Sequence, residues 1–141
     1  MRLLKKLVLS LAIIGLTTAC REQNTPIEPS RDVVDPNATV KVTGMFEGAN
    51  REAVSGTAKI VQKDGKYSLV FDNFNSVNGP NLHVYLSNET SPKNFLDLGL
   101  LKSVSGTQVY ELKETAEAPQ YKYALIYCQQ YSKLFGSALL K

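Results

Sequence analysis

The stretch GTAKIVQKDGKYSLVFD, residues 56–72, decides the fold. Gly56 to Val61 alternates small, polar and apolar residues, and Tyr67, Leu69 and Phe71 share one face with Ser68 and Asp72 opposite. That two-residue period is the signature of a strand with one buried face. Between the two runs stands Asp64-Gly65. A two-residue hairpin turn that matches the twist of its strands needs positive φ at both centres, and Asp-Gly supplies it cheaply. Val70 alone interrupts the polar side of the second run.

The pattern continues on both sides. Val40, Val42 and Met45-Phe46 suggest a strand before the hairpin, and Asn78-Gly79-Pro80 is a strand-breaking turn after it. Leu82, Val84 and Leu86 alternate with His83 and Tyr85, and Ser91-Pro92 ends that element. Leu98 to Leu101 reads as a turn or a short strand, and Gln108 to Leu112 as a strand after Gly106. Tyr121 to Cys128 is the longest β-like run and is apolar on both faces after Lys122, as in a strand covered on two sides. Tyr131 to Phe135 suggests one helical turn, and Gly136 to Leu140 a closing strand. Many short strands between turn signals predict an all-β domain over residues 39–141, a β-sandwich or partly open barrel of short, mainly antiparallel strands.

The N-terminus reads differently. Met1 to Lys6 is basic, Leu7 to Leu16 is a short apolar run, and Ala19 precedes Cys20. This is the plan of an export signal over residues 1–19, and the run is too short for a comfortable transmembrane helix. Leu16 to Cys20 resembles the bacterial lipobox, with Thr17 where leucine is usual. The resemblance implies cleavage before Cys20 and lipid on its sulfur, so that the membrane becomes a partner through the anchor. Arg21 is not the aspartate that often retains such proteins at the inner membrane, which favours the outer membrane, facing periplasm or cell surface. Pro26, Pro29 and Pro36 lie among polar residues with no apolar period, so residues 20–38 are expected to form the lipidated cysteine and a flexible tether.

Charge and residue types narrow the function. The chain has 16 basic and 13 acidic residues, but Arg2, Lys5 and Lys6 fall in the signal, and their loss leaves 13 of each. A nucleic-acid binder carries a basic surplus or stripe, so that class is set aside. Past residue 20 the chain has one cysteine, Cys128, one histidine, His83, and one methionine, Met45. Neither a blue-copper set nor a structural zinc set can be assembled from these, so no metal is expected. Noncovalent haem needs only one or two axial ligands, and Cys128, His83 or Met45 could serve. A Cys-His hydrolase would need Cys128 and His83 within hydrogen-bond reach, the least favoured reading. Cys128 shares a face with Ala124 and Ile126, which favours inert packing, yet it ends its strand before Gln129-Gln130, where a surface begins.

An ordered set of motifs spans residues 40 to 141: Gly44-Met45-Phe46, Gly56-Thr57-Ala58, Asn73-Phe74, Asn78-Gly79-Pro80-Asn81-Leu82-His83-Val84-Tyr85-Leu86-Ser87, Leu98-Gly99-Leu100-Leu101-Lys102, Gly106-Thr107-Gln108-Val109-Tyr110, Ala124-Leu125-Ile126-Tyr127-Cys128 and Phe135-Gly136-Ser137-Ala138-Leu139. This set resembles the DM13 domain, an electron-transfer module of extracellular proteins. Asn81 stands where the family usually has aspartate, and Tyr127 where tryptophan is common. The resemblance implies a sandwich-like fold, an unidentified redox or protein partner, and a redox role for Cys128 as a bare thiol or as a ligand to a group such as haem. The competing expectation is a noncatalytic binding or adhesion module in which Cys128 is a buried structural thiol. Either module is expected to be something other than a classical enzyme.

Overall fold

The Asp64-Gly65 turn forms as expected, with φ of 50° and 76° at its two centres and Lys63 paired with Lys66. It joins two strands of a computed structural model that describes residues 24–113 and 118–141. The described residues form nine strands: β1 (Ser30–Arg31), β2 (Thr39–Gly48), β3 (Val54–Lys63), β4 (Lys66–Ser76), β5 (Leu82–Ser87), β6 (Phe95–Leu100), β7 (Ser105–Glu111), β8 (Tyr123–Cys128) and β9 (Lys133–Leu139). A single 3-10 turn, Ala118–Gln120, precedes β8. Residues 1–19, expected to be an export signal, and Cys20 lie outside the described residues.

The strands run β1-β7-β4-β3-β2-β9-β8-β5-β6, antiparallel except for β1 against β7. The all-β expectation holds, and the sheet curls into a half-barrel. The bend lies in β2, whose residues 39–45 pair with β3 while Phe46 to Gly48 pair with β9. Both halves of the curl share one core that includes Phe71 and Phe74 from β4, Leu82 and Val84 from β5, and Ile126 and Cys128 from β8. Phe46, Phe71 and Phe74 meet there with ring centroids 4.9–5.3 Å apart. Edge-to-face and offset aromatic contacts of this kind add to the burial of the rings. Both Phe71 and Phe74 reach the core because a bulge after Phe71, with Asn73 at φ 46°, rotates the strand.

The connection from β6 to β7 closes the curl on one side. Leu101 is buried, and the Lys102 amide donates to the Tyr110 hydroxyl, which donates in turn to Gln108 Oε1. Gln108 is fully buried and donates to the Ser103 carbonyl at 2.7 Å, so the polar chain is satisfied.

Two regions differ from expectation. Tyr131 to Phe135 is not a helical turn: Gln129–Ser132 is a tight reversal, with Ser132 at φ 48°, and β9 starts at Lys133. The apolar residues Leu134 and Phe135 prolong the strand because β8 offers them a ladder. Residues 24–35, expected within the tether, are laid along the sheet instead. Asn24 bridges Pro80, the Val104 amide donates to the Pro26 carbonyl, β1 pairs with β7, and the Asp32 amide donates to Thr107. This strap also explains Val70. Val33, Val34 and Ala38 line one cleft with Val61, Val70 and Val109, so that part of the outer face is covered.

Candidate functional site

Cys128 ends β8, where alternation turns Ala124, Ile126 and the thiol toward the core. Its thiol is free and fully buried. It pairs with Leu82 on β5 and Lys133 on β9. The thiol donates to the Pro80 carbonyl oxygen across 3.1 Å. What covers the sulfur is therefore the Asn78–Asn81 connection between β4 and β5.

That connection is shaped by its own residues and then pinned from outside. The Gly79 amide donates to Asn78 Oδ1 at 2.8 Å, a local side-chain turn. Gly79 lies flat on Phe135, where a Cβ would come within 2.7 Å of the ring. Asn81 holds φ at 50°, a conformation that asparagine tolerates better than most residues. Its carbonyl accepts from the Gln129 amide at 3.1 Å. Asn78 exchanges two hydrogen bonds with the Thr25 backbone, and Asn24 bridges Pro80. The start of the strap thus latches the cover of the thiol. The sequence marked Asn-Gly-Pro as a turn, but no local signal tied it to Thr25.

His83 lies on the other side of the sheet. It pairs with Tyr127, the neighbour of Cys128, so the strand pair itself separates imidazole from thiol. The two side chains are not brought together, and the Cys-His hydrolase arrangement is not formed. His83 Nδ1 is 3.0 Å from Asp97 Oδ1. Met45 is exposed on β2 and lies away from both.

The outer face around His83 is aromatic. Phe95, Tyr85 and Tyr127 stack in a row, with centroids 4.2 and 5.4 Å apart, and Gln129 Nε2 donates to the Tyr85 hydroxyl at 2.7 Å. Burial raises the Tyr85 phenol above its ordinary value, and the Asp97 carboxylate adds to that, against the opposing Gln129 hydrogen bond.

With the Asn78–Asn81 loop closed, a haem does not fit around Cys128. The sulfur has no exposed surface, its hydrogen bond is taken by Pro80, and Gly79 already presses on Phe135. The arrangement instead offers a free thiol at a strand end, one loop away from solvent. Thiol chemistry there needs the loop to lift, since a thiolate must reach its partner.

The family model described as Electron transfer DM13 matches residues 33–140. No curated protein and no solved structure matches the chain.

Proposed function

From the premise that this chain belongs to the DM13 electron-transfer family, we propose that it is a lipid-anchored module outside the cytoplasm that carries electrons through Cys128. The observation that carries this reading is the position of the sulfur. It is a free thiol at the end of a strand, covered by a four-residue loop whose Pro80 carbonyl holds its proton. The anchor is Cys20, and the outer membrane, facing periplasm or surface, is the destination that the Cys20-Arg21 junction supports.

The chemistry follows thiol–disulfide exchange. With the loop lifted, the deprotonated Cys128 sulfur attacks a partner's disulfide. A mixed disulfide forms and the partner's other sulfur leaves, taking up a proton as a thiol. One thiol of a dithiol donor then attacks the Cys128 sulfur and releases the partner's second thiol. The donor's other thiol closes the donor disulfide and returns Cys128 as a thiol. The net transfer is two electrons and two protons from a dithiol to a disulfide.

Complete burial of the sulfur favours a second reading, a binding or adhesion module in which Cys128 only fills the core. One experiment separates the two. In a Cys20→Ser chain, Cys128 is the sole thiol, and oxidised glutathione is offered at neutral pH to the folded protein. A mixed disulfide on Cys128, found by intact mass and reversed by a dithiol, supports the redox role. A thiol that stays unmodified until the chain is denatured overturns it.

A further inference from the structure

We propose that the end of the half-barrel that carries Cys128 lies against the headgroup layer of the membrane, so that the loop over the thiol faces the lipid. This rests on the reading of Cys20 as the lipidated residue. The strap is docked from Asn24, which bridges Pro80 directly above the thiol. Only three residues lie between Cys20 and Asn24, four steps along the chain. A chain of that length reaches at most about 14 Å when fully extended. A freely swinging tether would let any face approach the bilayer, whereas a tether that short presents the end from which it leaves.

The end from which the tether leaves is formed by several connections. The connections at residues 49–53, 77–81, 101–104 and 129–132 are joined at one end: Val77 donates to Ala53, Ser76 to Val104, Gln129 to Asn81, and Ala49 to Phe135. The charges there are few. Glu52 pairs with Lys133 and Lys102 with Asp32, while Arg51 and Glu28, whose carbonyl accepts from Ser103, are exposed and in no ion pair among the described residues. Ile27, Val77 and Tyr131 are exposed around the same end. Exposed apolar and tyrosine side chains with few charges beside them suit the half-apolar interface of a bilayer. The opposite end carries Asp64, Lys66, Glu89, Lys93, Lys113 and Lys141 beside the exposed Val40, Phe95 and Leu139, so it is the short tether that sets the orientation. A partner held in the same membrane would then meet the loop over the thiol first.

The test uses the full, lipidated chain in vesicles of phosphatidylethanolamine and phosphatidylglycerol that contain headgroup-spin-labelled lipid. A fluorophore is placed at Tyr131→Cys or at Lys66→Cys. The background is Cys128→Ser or Cys128→Ala, whichever of the two melts at the higher temperature in one cooperative transition. Intact mass reports the acyl groups on Cys20. Several-fold stronger quenching at position 131 than at 66, on acylated chain, is the expected result. Equal quenching, or stronger quenching at 66, on acylated chain overturns the orientation and leaves the anchor standing. A chain with no acyl groups overturns the anchor and the orientation together.

Discussion

Asn78 and Thr25, 53 residues apart, exchange two hydrogen bonds: the Thr25 amide donates to Asn78 Oδ1 at 3.1 Å, and Asn78 Nδ2 donates to the Thr25 carbonyl at 2.9 Å. The pair holds the strap to the loop that covers Cys128. Each such bond contributes about 1 kcal/mol net. Asn78→Ala should therefore destabilise the fold by about 1–2 kcal/mol. It should also raise the rate at which a small alkylating reagent reaches Cys128 in the folded protein. Alkylation at an unchanged rate, despite a lowered melting midpoint, would show that the strap does not guard the thiol.

Cys128→Ser should keep a donor for the Pro80 carbonyl but place a hydroxyl among Leu82, Phe135 and Ile126. Cys128→Ala removes that donor. Both should lower stability by about 1 kcal/mol or more, the scale of a core perturbation. The check is chemical denaturation of both variants beside the parent chain. If both match the parent's stability, the thiol is held there by something other than packing.

Gly106 has φ of 96°, and a Cβ there would lie 2.1 Å from the Ser30 carbonyl oxygen. Gly65 has φ of 76°, but a Cβ there would meet nothing within 4 Å. Gly65→Ala should thus cost only left-handed strain, about 1–2 kcal/mol. Gly106→Ala should cost more than that, because it also parts β1 from β7. Loss of amide protection confined to residues 24–35 and β7 would identify the mechanism by hydrogen exchange. Equal melting midpoints for the two variants would contradict it.

Asp32 ties the far half of the strap. Its carboxylate accepts from Lys102 Nζ at 2.6 Å and from the Val109 amide at 2.9 Å. The Lys102 hydrogen bond, then the Val109 amide, lowers its pKa below the ordinary carboxylate range. A carboxyl group with a lowered folded pKa stabilises fully above its unfolded value of about 3.9, and that contribution is lost as pH falls through the folded value. Asp32→Asn should therefore destabilise the protein at neutral pH and flatten the acid limb of its melting profile. The effect should be modest, because the ion pair is largely solvated. An acid limb identical to that of the parent chain would rule Asp32 out as a contributor.

Much of the architecture was legible residue by residue. The Asp64-Gly65 turn, the inward Leu69 and Phe71, and the doubly covered run ending at Cys128 all follow from side-chain size and backbone freedom over a few positions. The misread segment, Tyr131 to Phe135, is short, and its form depends on the partner strand it meets. The strap was missed for a related reason. Its prolines and polar residues carry no period, and it docks through backbone bonds to Pro80, Val104 and Thr107, which leave no mark in its own composition.

The site divides in the same way. By itself the sequence determined an all-β domain, one thiol at the inner end of a strand and one histidine on the alternate face, because a two-residue period and a turn's φ are local properties. Only the tertiary structure decided that the sheet curls into one half-barrel, that β5 and β8 set His83 and Cys128 back to back, and that residues 24–25 clamp the loop over the sulfur. Those are matters of which distant strands share a core, and that choice is made by burial summed over the whole chain.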